Sequence, residues 1–92
     1  MKKYVVIAYD IEKDRKRREV AKLLEAWGKR ANKSVFECFL SDTELKKLKT
    51  RLEKMVKKGT DVILFYPLCV DCIDKIERYG APQPEREIVK IF

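Results

Sequence analysis

Two stretches with the period of an amphipathic helix alternate with short runs of β-branched and aromatic residues, and that alternation most sharply limits what the chain can fold into. Tyr4-Val5-Val6-Ile7-Ala8-Tyr9 is an unbroken apolar run that reads as a central strand, and it ends at Asp10. A polar stretch, Ile11-Glu12-Lys13-Asp14, follows, and Asp14 is placed to cap a helix beginning at Arg15. Within that helix Val20, Leu23, Leu24 and Trp27 fall at i, i+3, i+4 and i+7 on one apolar face, with Gly28 as a stop. Lys33 to Leu40 reads as a second strand, Phe36, Cys38 and Leu40 facing one way and Val35, Glu37 and Phe39 the other. Ser41-Asp42-Thr43-Glu44 is a capping box, and Leu40 and Leu45 are placed to staple it. The helix it opens buries Leu45, Leu48, Leu52, Met55 and Val56 and ends at Gly59, leaving Lys46, Lys47, Lys49, Arg51, Lys54, Lys57 and Lys58 on its other face.

Asp61 to Tyr66 is a third strand, stopped by Pro67. Cys69 to Tyr79 is a short helix or helical turn closed by Gly80, Pro82 and Pro84 mark an extended link, and Ile88 to Phe92 is a final strand. Strands separated by single amphipathic helices predict one sheet with helices packed on a face, a ferredoxin-like α/β (α+β) arrangement. Ninety-two residues support one domain over 1–92 with a modest core, so oligomerisation is a plausible source of added stability. No apolar run approaches a membrane span and no cleavable leader is visible, so the expectation is a soluble cytoplasmic protein with no membrane partner.

The formal charge of +7 is unevenly spread: residues 1–58 hold 18 basic and 9 acidic side chains, residues 59–92 only 4 and 6. An anionic partner for the first two-thirds follows, nucleic acid ahead of a membrane surface. Arg15-Lys16-Arg17-Arg18 sets four consecutive cations in the first turn of a helix, where the helix dipole favours anions. A phosphate backbone would resolve that conflict; the alternative is that Glu12, Asp14 and Glu19 offset the charge. Asp10 closes the first strand immediately before this turn, where carboxylates often line a crevice, but a lone carboxylate is a weak Mg²⁺ ligand set. Histidine is absent, which removes the commonest general base and leaves metal-bound water or a carboxylate for any hydrolysis. Cys69-x-x-Cys72 admits a redox or a metal reading, but with only Cys38 besides, all three thiols fit buried, small apolar side chains in a reducing compartment.

Tyr9-Asp10-Ile11, the basic helix start, Lys33-Ser34-Val35-Phe36-Glu37 and Tyr66-Pro67-Leu68-Cys69-x-x-Cys72 occur in an order and spacing that resemble the Cas-two family of CRISPR-associated proteins. The resemblance runs from the first strand to the last. It implies a βαββαβ homodimer in which a further C-terminal strand, here about Glu87 to Phe92, adds to the partner's sheet. It also implies that Asp10 faces its symmetry mate, so that two copies of Asp10 hold Mg²⁺ for cleavage of RNA or DNA phosphodiesters. Tyr9, Ser34 and Phe36 match motif positions beside that site, and Arg17 a basic position on the first helix, with Arg15, Lys16 and Arg18 extending the nucleic-acid-binding run. The family further implies a place in spacer acquisition during antiviral defence. There the alternative reading is a non-catalytic, duplex-binding subunit that bridges dimers of a Cas-one-type integrase.

Overall fold

The apolar run becomes β1 (Lys2–Asp10), which lies at the centre of a four-stranded sheet in the computed structural model, where residues 2–80 are described. The elements that follow are α1 (Asp14–Glu25), β2 (Gly28–Asn32), β3 (Val35–Ser41), α2 (Asp42–Met55), β4 (Val62–Leu68) and α3 (Val70–Asp74). The strand order is β2-β3-β1-β4 and every pairing is antiparallel, which is the ferredoxin-like βαββαβ topology. Val5, Ile7 and Tyr9 of β1 and Phe36, Cys38 and Leu40 of β3 meet Val20, Ala21 and Leu24 of α1 and Leu48 and Leu52 of α2. Each large apolar side chain sealed in this layer contributes roughly 1.5–3 kcal/mol.

The alternation expected for β3 is realised, Phe36, Cys38 and Leu40 being buried in turn. So is the capping box: Ser41 Oγ accepts from the Glu44 amide (3.1 Å), and Glu44 Oε1 accepts from the Ser41 amide (2.8 Å). Several local expectations are corrected. Asp14 does not cap α1; Lys13 occupies that position without a side-chain bond, and Asp14 is the first helical residue. Gly28 is no helix stop, because α1 ends at Glu25 and Gly28 opens β2. A Cβ at Gly28 would collide with the Glu37 carbonyl and the Cys38 sulfur, so the close approach of β2 to its neighbour β3 requires glycine there. β4 runs through Pro67 to Leu68, which is possible because β4 is an edge strand and proline's missing amide can face outward.

The second helix stops at Met55, and the loop turns at Gly59, whose φ of 93° lies in the left-handed region. α3 is a single short helix rather than one reaching Tyr79. The final strand over 88–92 and its exchange across a dimer lie outside the described residues.

The face of the sheet away from α1 and α2 stays largely open. Ala8 lies opposite Leu64 and Val6 opposite Tyr66, and Val62, Leu64 and Tyr66 are 47%, 46% and 50% exposed. The chain after α3 returns to one end of this face, where Arg78 Nη2 meets Glu37 Oε1 at 2.5 Å and the Tyr4 hydroxyl at 3.4 Å. Burial and the Glu37 carboxylate push the Tyr4 phenol well above its ordinary range, so Tyr4 stays neutral. No helix among the described residues is long and apolar enough to cross a membrane.

Candidate nucleic-acid interface

The four cations at the start of α1 separate as soon as the helix forms, because successive residues point about 100° apart around its axis. Arg15 stays in solvent with a loose pair to Glu19 (3.9 Å). Lys16 turns to Asp61 at the start of β4, with 3.4 Å between Nζ and Oδ2. Arg17 folds back, its Nη1 donating to the Ile11 carbonyl (3.0 Å) while its other nitrogen pairs with Asp14. Arg18 is exposed and makes no ion pair among the described residues.

Asp61 explains how α1 begins without a local cap. Its carboxylate accepts from the Lys57 amide (2.9 Å) and the Glu12 amide (3.1 Å), and its side chain is only 2% exposed. Those amides, the Lys57 one foremost, and then Lys16 hold the Asp61 carboxyl below its usual range. A residue more than 40 positions away thus ties down the loop that aims the basic turn.

Arg17 and Arg18 lie on one wall of an open cleft of about 650 Å³. The same wall, α1, adds Lys22 and Glu25; the opposite side is the β2–β3 hairpin with Arg30, Lys33 and Ser34, and Tyr9 lies between. Five cations therefore converge against one carboxylate. Hydrogen bonds and rings make the cleft rigid. The Tyr9 hydroxyl donates to the Lys33 carbonyl (3.1 Å), and the Tyr9 amide donates to the Ser34 carbonyl (3.0 Å). The Tyr9 ring stacks on Phe36 at 6.3 Å between centroids, and the Arg30 guanidinium sits 5.2 Å over the same ring.

Of the residues expected at the interface, Tyr9, Arg17, Arg18 and Ser34 are brought together, whereas Arg15 and Lys16 point elsewhere. Phe36 is fully buried, so it carries Tyr9 and Arg30 from below rather than meeting a ligand itself. Lys22, Arg30 and Lys33 went unrecognised as cleft residues in the sequence reading. Lys22 could have been found as the i+4 neighbour of Arg18. Arg30 carried no signal, because the polar segment Lys29-Arg30-Ala31-Asn32 lacks the alternation that marks a strand, whereas Lys33 opens the motif that contains Ser34 and Phe36.

Asp10 stands exposed at the end of β1, next to Tyr9 and opposite Val62. Its carboxylate takes part in no hydrogen bond or ion pair among the described residues, and those residues contain no cluster of three or more Cys, Asp or Glu. Asp10 thus offers one unpartnered carboxylate at this end of the sheet among the described residues. A second carboxylate from another copy would strengthen that ligand set for Mg²⁺, with water and phosphate oxygens completing the shell.

The family model described as CRISPR associated protein Cas2 matches residues 1–76. The chain belongs to the Cas2 family. A relative from a Synechocystis species, named CRISPR-associated endoribonuclease Cas2 3, is 43% identical over 77 residues, 84% of each chain. The structure of Streptococcus pyogenes Cas2 superposes with a TM-score of 0.75 at 33% identity, covering 84% of this chain and 99% of that one. A chain of a partial Cas6-RT-Cas1–Cas2 complex superposes with a TM-score of 0.71 at 27% identity, covering 83% and 89%. This Cas2-family chain therefore shares its fold with a protein found assembled alongside Cas1.

Proposed function

We propose that the chain is a Mg²⁺-dependent endonuclease acting on RNA or DNA phosphodiesters in the cytoplasm, taking part in spacer acquisition together with a Cas1-type integrase. The observation that carries this reading is the unpartnered Asp10 carboxylate beside a cleft where five cations converge. Residues 1–92 act as one ferredoxin-like domain that works as a homodimer. The open sheet face, with Val62, Leu64 and Tyr66 half exposed, is the surface on which a second copy would pack and bring its own Asp10 opposite the first.

In this reading Arg18, Lys22, Arg30 and Lys33 grip the phosphate backbone along the cleft. Arg17 braces the β1–α1 loop through the Ile11 carbonyl and sets the direction of Asp10. Tyr9 fixes the hairpin through Lys33 and Ser34, so the cations on the two walls keep their spacing. The Asp10 pair would hold Mg²⁺, which when bound supplies neutralisation of the phosphodiester charge and a more acidic water.

A second reading, a non-catalytic duplex-binding subunit that bridges integrase dimers, is favoured by the lack of an acidic cluster around Asp10 among the described residues and by the similar chain in the Cas1–Cas2 complex. Cleavage of labelled RNA and duplex DNA by wild type and Asp10→Asn, with Mg²⁺ and with EDTA, separates the two. We expect cleavage that is lost with EDTA and abolished in the variant, with the fold unchanged. Mg²⁺-dependent cleavage retained by Asp10→Asn would overturn the role of Asp10. Salt-sensitive duplex binding without any cleavage would leave the bridging subunit.

A further inference from the structure

The three cysteines, expected to be buried together as small apolar side chains, divide into two kinds. Cys38 is completely buried in the core, and burial pushes its thiol up to about 12, so it stays protonated and inert. Cys69 and Cys72 are both exposed, and their sulfurs lie 3.3 Å apart. We propose that Cys69 and Cys72 form a redox-active dithiol that closes to a disulfide by exchange with a low-molecular-weight disulfide of the glutathione class. The inference is independent of the nuclease reading, because the pair sits at the far end of the sheet. Tyr4 pairs with Leu68 while Asp10 pairs with Val62, about 20 Å along the strands.

The sulfurs are near van der Waals contact, and only a short approach separates them from a bond. Cys69 is the residue between β4 and α3, and Cys72 lies within α3 on the exposed side. The neighbouring Ile73 points inward and is 2% exposed. The helix is thus anchored through Ile73 while the sulfurs remain accessible.

The two thiols are not equivalent. The Cys72 amide and, next, the adjoining Cys72 thiol favour the ionised form of the Cys69 sulfur, which lowers the Cys69 thiol below its ordinary value. Cys72 is raised, because it retains the proton it shares with its neighbour. Cys69 is then the attacking thiol and Cys72 the resolving one. An apolar groove of about 400 Å³ runs past Cys69 and Leu68, with Lys2 and Lys3 on its border. Both lysines are more than half exposed, Lys2 loosely paired with Glu44 (3.8 Å) and Lys3 more closely with Asp42 (3.2 Å), and Lys2 in particular can meet a carboxylate of a glutathione-type peptide.

In the first step the Cys69 thiolate attacks one sulfur of R–S–S–R. The S–S bond breaks, a mixed disulfide forms, and one thiolate leaves and takes a proton from water. In the second, Cys72 gives up its proton and its sulfur displaces the remaining R–S⁻ from Cys69. The protein dithiol is oxidised by two electrons, and R–S–S–R is reduced to two R–SH.

The test equilibrates the full chain with reduced and oxidised glutathione in varied ratio, quenches with acid, labels free thiols with a maleimide and reads intact mass. We expect two thiols to disappear together in one transition whose midpoint is independent of protein concentration. Cys72→Ser should accumulate a mixed disulfide with glutathione on Cys69. Cys69→Ser should react at least about tenfold more slowly than Cys72→Ser near neutral pH. Asp10→Asn should titrate like the wild type, whatever its effect on cleavage. Equal rates for the two serine variants, disulfides formed only between chains, or both thiols still free in excess oxidised glutathione would each overturn the proposal.

Discussion

The two long helices carry basic faces of similar composition, yet they begin and end up differently. α2 is organised by its own neighbours: Ser41 and Glu44 exchange hydrogen bonds across three residues, and Asp42 and Glu44 lie in the turn where the dipole favours acids. α1 has no side-chain cap, and its entry loop is held by Asp61 from across the chain. The lysines of α2 have no second basic segment facing them among the described residues: Lys46 and Lys47 border an open groove lined by α2 residues, and Lys49 lies over the Phe65 ring at 5.4 Å. The cations of α1 face a hairpin that returns Arg30 and Lys33 toward them. Similar charge thus becomes a site only where tertiary structure sets a second basic segment against it, since closely spaced cations repel until an anion lies between them.

The sharpest way to break this comparison is to reverse equal charge on each helix. Arg18→Glu with Lys22→Glu should weaken duplex or RNA binding roughly 10- to 100-fold near 0.1 M salt. The slope of log affinity against log salt should become shallower by about 0.9 for each lost phosphate contact. Lys46→Glu with Lys47→Glu should change affinity less than about threefold, as expected for solvated surface charge. Equal losses in a fluorescence-anisotropy titration would mean that the facing hairpin is irrelevant.

A smaller effect separates the two helix starts. Ser41→Ala removes the local cap of α2 and should cost about 1 kcal/mol in urea unfolding. Lys13→Ala, at the corresponding position of α1, should stay within about 0.5 kcal/mol, because that side chain caps nothing.

The smallest effect is confined to acid. The Asp61 carboxyl is held below its ordinary value by the Lys57 and Glu12 amides and by Lys16. Its contribution is therefore fully present above the unfolded value of about 3.9 and is lost as pH falls through the lowered folded value. Melting temperature followed from pH 6 downward should fall less steeply in Asp61→Asn than in wild type. Parallel curves would show that α1 is not held by this charge.

The patterns that survived into the structure are those whose physics is local. The central strand, the alternation of Phe36, Cys38 and Leu40, and the stripe of Val20 and Leu24 rest on periods of 2 and 3.6 residues. The resemblance to Cas2, carried by Tyr9-Asp10 and Tyr66-Pro67 in their order, is met by the family match over residues 1–76. Misreadings arose where a residue has two uses. Gly28 can end a helix or admit a closely paired strand, and Pro67 can stop a strand or sit on its outer edge.

By itself, then, the sequence determined the alternation of elements, the faces they bury, the cap of α2 and the excess of cations in the first two-thirds. Only the tertiary structure decided which of four adjacent cations meet Tyr9 and Ser34, that Arg30 and Lys33 join them, that Asp61 anchors α1, and that Cys69 and Cys72 are exposed while Cys38 is buried. The reason is one of range. Periodicity and capping act over three or four residues, whereas a cleft, a long-range carboxylate and the burial of a thiol depend on which distant segments the sheet order sets side by side.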